Sequence, residues 1–395
     1  MKSAIIFLFG LLFFAAWNWW LLQRAILLHA NGNVRKFGRV VLALLMFFVF
    51  LCIVPIMRRL PMTSNGAQHF MRDFYALQVL GLWFGFTGLL LTGWNLCARP
   101  KYRLSPRSLA CVCLGVTLLC AITGYVQAGA PRLKRYDLSL PAVPPEADGY
   151  KILLLSDLHL THLYNTSVLN TVSQTIGTEK PDIILHSGDF LDSSRHGDIS
   201  SLLDIVGTWS APDGKFAIFG NHDGYAGWRN SLAVHQQAGF ELLSARTQNQ
   251  EAFPQPWLHL AGIDDSRIWM KPHFPVQTTD DDEFQDRDAA TLQCQGQVPR
   301  TFPSVCNLLL CHDPNMADGI PENYDVILSG HTHGGQLFPF NFVVFFTCKY
   351  PTSKWSALKN GGRIYICRGT GTWGPPFRLF IPPEMTLITL HHLSQ

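Results

Sequence analysis

The sequence predicts an α/β protein in two parts, a four-helix transmembrane region over residues 1–130 and an α/β sandwich over residues 151–395, joined by residues 131–150 as linker and opening strand. Three observations predict it. Long apolar runs fill the first third of the chain, and short apolar runs of strand length alternate with mixed segments of helix length in the rest. The charge also changes sign between them. Residues 1–136 carry fifteen Lys and Arg against one acid, Asp73, whereas residues 137–395 carry sixteen basic residues against twenty-seven acids. A chain so divided meets two environments.

The apolar runs are 4–22, 40–57, 76–97 and 109–129, each near the ~20 residues that cross a hydrocarbon core as a helix. None contains Asp, Glu, Lys or Arg, and basic clusters such as Arg35, Lys36 and Arg39 lie between them. Trp17, Trp19 and Trp20 end the first run as an interfacial belt does. That first run lacks the small-residue cleavage site of a secretory leader. A multi-pass protein of the cell membrane is expected. The contrast of Lys2 with Arg24, Arg35, Lys36 and Arg39 favours a cytoplasmic first loop, which leaves the second part extracytoplasmic. The spans hold no ionisable group of the kind an ion-coupled carrier needs, so the expected role is anchoring in membrane lipid. The acidic second part speaks against nucleic acid as partner.

From Lys151 onward five runs read as buried strands: Lys151–Leu155, Asp182–His186, Lys215–Phe219, Val305–Leu310 and Tyr324–Leu328. Ser167–Gly177 and Asn230–Gly239 read as helices, Met385–Leu390 as a closing strand, and Pro272–Pro303 as an exposed insertion. The ten cysteines show no CxxC spacing and read as buried thiols, with a Cys294–Cys306 bridge open in an oxidising compartment.

Each of the five strands is followed at once by residues that bind metals. In order they are Ser156-Asp157-Leu158-His159, Gly188-Asp189-Phe190-Leu191-Asp192, Gly220-Asn221-His222-Asp223, Cys311-His312-Asp313 and Gly330-His331-Thr332-His333. Alternation along an extended strand end would put Asp157 with His159, and His331 with His333, on one side each. Glycines before Asp189, Asn221 and His331 allow close backbone approach. Imidazole and carboxylate without thiolate suit manganese, iron, zinc or cobalt. His162, His391 and His392 have no such pattern. Asp264 and Asp265, at another strand end, could line the cleft or make a turn.

The series D-x-H, GDxxD, GNHD, a lone His after a strand, and GHTH resembles the calcineurin-like metallophosphoesterases. The string Ser329–Gln336 and the tail with Arg368-Gly369-Thr370-Gly371 and Pro382-Pro383-Glu384 are similar to the YkuE/YaeI-like branch, some of which is membrane-tethered. The resemblance implies two mixed β-sheets flanked by helices and a centre of two divalent or trivalent metal ions. Asp157, His159, Asp189 and His333 would hold one ion. Asp189 would bridge to a second, held with Asn221, His312 and His331. His222 would act on the phosphoryl oxygens or leaving group, with Asp223 orienting it and Asp192 supporting the ligands. Arg378 is a candidate for meeting the substrate phosphate.

Such a centre makes hydroxide at ambient pH and clamps a phosphoryl group for in-line attack, so the expected activity is hydrolysis of a phosphoester or pyrophosphate. Fusion to a lipid-embedded region points to a lipid-linked substrate. The alternatives are a soluble phosphodiester or nucleotide, and a catalytically silent scaffold that binds phosphorylated ligands. No HExxH helix suggests a peptidase. The sequence leaves oligomeric state open.

Overall fold

A computed structural model describes residues 65–161, 166–192, 197–269, 298–320, 323–359 and 361–394. The runs 4–22 and 40–57, His162, Cys294 and most of the 272–303 insertion lie outside them; Cys306 is a buried thiol. The chain divides into two compact units, residues 1–123 and 124–395.

Two helices are described in and beyond the first unit: α1 (Asn65–Cys97) and α2 (Pro106–Ala128). They contain the third and fourth apolar runs. Asn95 clamps the turn between them, its amide donating to the Leu104 carbonyl at 3.0 Å and its oxygen accepting the Leu104 N–H at 2.8 Å. Among the described residues, Arg107–Ala128 is the helix long and apolar enough to cross a membrane. Its Leu118, Leu119 and Ile122 are more than half exposed, unlike those of a core helix.

The second unit is two six-stranded mixed sheets. The first runs β1 (Arg132–Leu140), β12 (Glu384–His392), β2 (Tyr150–Leu155), β3 (Ile183–His186), β4 (Lys215–Ala217) and β5 (Glu241–Leu242). The second runs β10 (Trp355–Ala357), β11 (Arg363–Ile366), β9 (Val326–Ser329), β8 (Cys306–Cys311), β7 (Leu258–Ile263) and β6 (Glu251–Gln255). Strands β2 to β5 are mutually parallel, as are β7, β8, β9 and β11.

The inner strands β2, β3, β8 and β9 are mostly apolar because both of their faces are covered. Alternation then sorts the side chains. Ile152, Leu154, Ile183 and Leu185 meet Leu258, Leu260, Leu308, Leu310 and Leu328 in the layer between the sheets. Their neighbours Leu153, Leu155 and Ile184 pack outward under α3 (Thr166–Glu179), α4 (Ser200–Gly207) and α6 (Trp228–Gln237). Each such side chain contributes about 1.5–3 kcal/mol of burial, which pins the strands whose ends carry the site.

The closing strand is longer than the sequence pattern suggests, and it lies inside the sheet. Strand β12 pairs with β1 in parallel and with β2 antiparallel. Residues 131–150 are therefore a strand and a turn more than a linker. Buried Glu384 anchors this seam, accepting from Tyr365 Oη at 2.5 Å and from Ser353 Oγ, with Lys134 Nζ at 3.5 Å.

Candidate metal centre

Parallel strands deliver their carboxyl ends to one edge, and the two sheets deliver theirs to the same place. Asp157 and His159 follow β2, Asp189 and Asp192 follow β3, and Asn221 and His222 open the short helix α5 (Asn221–Ala226) after β4. His312 follows β8; His331 and His333 follow β9. His333 Nε2 comes within 3.2 Å of Asp157 Oδ1 and 2.9 Å of His159 Nε2, although 174 residues separate the two histidines. Asp189 Oδ2 is 3.6 Å from His159 Nε2 and 3.2 Å from His312 Nε2.

Among the described residues, three sets of donor atoms converge within 4.8 Å: Asp157, His159 and His333; His159, Asp189 and His222; Asp189, His312 and His331. Asp189 belongs to two of them, as a bridging carboxylate must. Asn221, next to His222 in the chain, is buried with its Oδ1 lacking a hydrogen-bond partner, a neutral oxygen donor. The donor chemistry, imidazole and carboxylate without thiolate, suits hard or borderline cations.

The local backbone differs from the extended strand end the spacing suggests. Asp157, His159, Asp189, His331 and His333 have φ of 52°, 51°, 59°, 70° and 50°. The donors after β2, β3 and β9 converge because those strands end in left-handed turns, a conformation non-glycine residues seldom adopt. Hydrogen bonds hold the turns. Asp157 accepts the His331 N–H at 3.1 and 3.2 Å, one on each oxygen, and Asp189 Oδ1 accepts the His222 N–H at 2.7 Å. His312 Nδ1 bonds the Ser187 carbonyl at 2.7 Å, which turns its Nε2 towards Asp189.

Burial and neighbours set the charges. Burial raises the Asp157 carboxyl, yet the facing His333 holds it below the usual carboxylate range. Burial lowers the His312 imidazole, but Asp189 outweighs it and pushes the group up to about 10. Burial dominates at His333, down to about 4 despite Asp157.

The supporting residues are arranged differently from the expectation. Asp223 is fully buried, and its carboxylate accepts the N–H groups of Gly220, Phe190 and Leu191 at 2.8, 3.2 and 3.1 Å. It ties the GDxxD turn to the GNHD turn. The group that meets the His222 ring is Asp192, whose carbonyl is 2.5 Å and whose carboxylate oxygen 3.7 Å from Nδ1. Asp192 Oδ1 also lies 3.4 Å from His159 Nδ1.

Arg378 is buried behind His333. It donates to the carbonyls of His333, Arg368 and Gly371 at 3.1, 2.9 and 2.5 Å, and its Nη2 faces His333 Nδ1 at 3.0 Å. Asp264 accepts the Ala245 N–H at 3.1 Å, nineteen residues earlier in the chain, and so ties two segments together. A cation the motifs do not single out, Arg267, pairs with Asp265 at 2.8 Å and Asp313 at 3.6 Å, and Asp313 is 3.9 Å from His331 Nε2. Its one sequence signal is position, three residues past Asp264 beyond a strand end. His391 and His392 pair with Asp148 and the Val143 carbonyl, away from the centre.

Residues 150–335 match the family model described as calcineurin-like phosphoesterase. The chain is 29% identical over 259 residues to an uncharacterized metallophosphoesterase of Aquifex aeolicus, covering 66% of this chain and 91% of that one. It is 28% identical over 257 residues to the uncharacterized metallophosphoesterase YkuE of Bacillus subtilis, covering 63% and 81%. A transmembrane protein with metallophosphoesterase domain from Danio rerio is 28% identical over 290 residues, 70% of this chain and 61% of that longer relative. With this match laid over the five strand ends described above, residues 150–335 form a calcineurin-like metallophosphoesterase domain, the domain of a metal-dependent phosphoester hydrolase.

Proposed function

We propose that the protein is a membrane-anchored, binuclear metal-dependent phosphoesterase acting on a lipid-linked phosphoester or pyrophosphate. The observation that carries the chemistry is Asp189 shared between two donor sets. Phospholipids, isoprenoid diphosphates and nucleotide-activated glycolipid precursors are the substrate classes that combine such a phosphorus with a lipid. The span Arg107–Ala128 and the membrane character of the Danio rerio relative's name support the anchoring. The further spans and the extracytoplasmic orientation belong to this same reading.

Bound cations supply Lewis acidity, polarising phosphoryl oxygens and bringing water within reach of deprotonation at ambient pH. The chain does the rest. Asp157 and Asp189 would offset the cations' charge, and the four neutral histidines around them would help to hold the cations in place. His222 is only partly buried, its side chain 15% exposed. Its Nδ1 is held by the Asp192 carbonyl, so a neutral ring keeps its proton there and a protonated ring offers Nε2–H to the departing oxygen. Arg378 and Asp192 would position His333, His159 and His222 without touching substrate.

A silent phospholigand scaffold would show ligand erosion, whereas all seven candidate ligands and His222 are present. A soluble phosphodiester or nucleotide remains the second reading, since nothing in the donor set selects a lipid. The test is hydrolysis by manganese-, zinc- or iron-loaded full-length protein across phosphorylated lipids and soluble diesters. Asp189→Asn is expected to lose at least about 100-fold in turnover and part of its metal, while His222→Asn keeps its metal and loses turnover. Undiminished turnover by Asp189→Asn would overturn the proposal.

A further inference from the structure

Helix α7 (Phe340–Thr347) reads Phe-Asn-Phe-Val-Val-Phe-Phe-Thr, and none of its residues is buried. Phe345 and Phe346 are 74% and 79% exposed, and Phe342 and Val343 are more than half exposed. A helix on a water-facing surface hides its apolar stripe and turns polar residues outward. This one has only Asn341, half-buried, and Thr347 as polar residues, and the hydroxyl of Thr347 folds back on the Val343 carbonyl at 2.7 Å.

The apolar surface continues to the mouth of the metal centre. Phe338 stacks edge-on with Phe342 and Phe380 at 5.9 and 5.5 Å, and Phe380 is itself exposed. Gln336 exchanges two hydrogen bonds with the Trp373 backbone, at 2.8 and 2.9 Å. The exposed Trp373 ring then lies 5.9 Å from the His222 ring.

The end of the apolar span meets this same loop. Residues 124–128, the last turns of α2, belong to the compact unit of the two sheets. There the Gly124 carbonyl accepts the Arg378 N–H at 2.9 Å, and Tyr125 packs edge-on against Phe377 at 6.5 Å. The chain that leaves the span is thus tied to the segment carrying the exposed aromatics. A protein partner would need polar groups at the rim to bond with. A bilayer needs only apolar area and interfacial aromatics.

We infer that α7 and the loop from Trp373 to Phe380 form a membrane-inserting surface that seats the mouth of the metal centre at the boundary of acyl chains and headgroups. This rests on reading α2 as a membrane span, and it deepens the proposed use of lipid-linked substrates by specifying how such a phosphate reaches His222 without leaving the bilayer.

The test uses full-length protein in vesicles of phosphatidylethanolamine and phosphatidylglycerol. The photo-crosslinking residue benzoylphenylalanine is placed at position 346, and at position 146 ahead of β2, the opposite end of the strand from the site. Phospholipid adducts at 346 and none at 146 are expected. Adducts at 346 with the chain's own residues 1–64 or with another copy, or no adduct, would overturn the inference. Replacing both aromatics (Phe345→Asp with Phe346→Asp) is expected to leave hydrolysis of soluble bis(4-nitrophenyl) phosphate unchanged. Hydrolysis of a vesicle-borne lipid diphosphate should fall about tenfold or more. Equal loss on both substrates would sink the seating role. Lipid adducts in a protein that hydrolyses only soluble diesters would refute the lipid-substrate reading and leave the membrane surface standing.

Discussion

Asp264 has its carboxyl pushed up to about 6 by burial, which outweighs the hydrogen bonds from Ser244 and Ala245. An acid raised on folding binds its proton more tightly in the folded chain than in the unfolded one. Its stabilising effect is complete below the unfolded value near 3.8 and is lost as pH rises through about 6. Asp264→Asn should therefore remove a loss of up to about 3 kcal/mol between about pH 4 and pH 6. Urea unfolding of both proteins across that window checks it, and parallel pH profiles would refute it. Other residues argue how much a motif can tell. Metal chemistry restricts donors to few residue types, so Asp157, His159, Asp189, Asn221, His312, His331 and His333 could be picked out by identity and position. The partner of His222 could not. Asp223 is adjacent in sequence, yet it is Asp192, thirty residues away, that reaches the ring, because the choice depends on how two turns pack.

At the scale of elements, the strand ends were legible and their handedness was not. Apolar runs stop where a polar ligand begins, and that boundary survives in one dimension. The left-handed turns at five of the donors depend on hydrogen bonds between segments, such as Asp157 accepting from the His331 N–H. Gly188 shows how tight the result is. It has φ +97°, and a Cβ there would lie 2.5 Å from His312 Nδ1 and 2.8 Å from Cγ. Gly188→Ala is expected to keep the fold, push His312 out of line and lower bound metal from two ions towards one per chain. Activity should fall at least about tenfold. Gly177→Ala in α3 meets open space and should gain about 0.5–1 kcal/mol with no change in metal. Metal analysis alongside thermal unfolding separates the two, and full metal content in Gly188→Ala would contradict the account.

Across the whole molecule, the position of β1 decides where the catalytic unit can be cut. A fragment starting at residue 137 would remove half of a strand paired with β12 from Arg132 to Leu140. A fragment starting at Gly129 keeps that strand, and it is expected to hydrolyse soluble diesters like the full chain while losing rate on vesicle-borne lipids. Equal lipid turnover by both would remove the case for recruitment by the membrane region. The two-part organisation, the α/β class and the candidate ligands were determined by the sequence alone, because hydropathy, strand-length periodicity and ligand chemistry are local properties of residues. Only the tertiary structure decided that β12 lies between β1 and β2, that Arg378 is buried behind His333, that Asp192 holds His222, and that α7 exposes its phenylalanines beside the site. Each of these depends on which distant segments pair and which faces they leave uncovered, and no local pattern of residues encodes that.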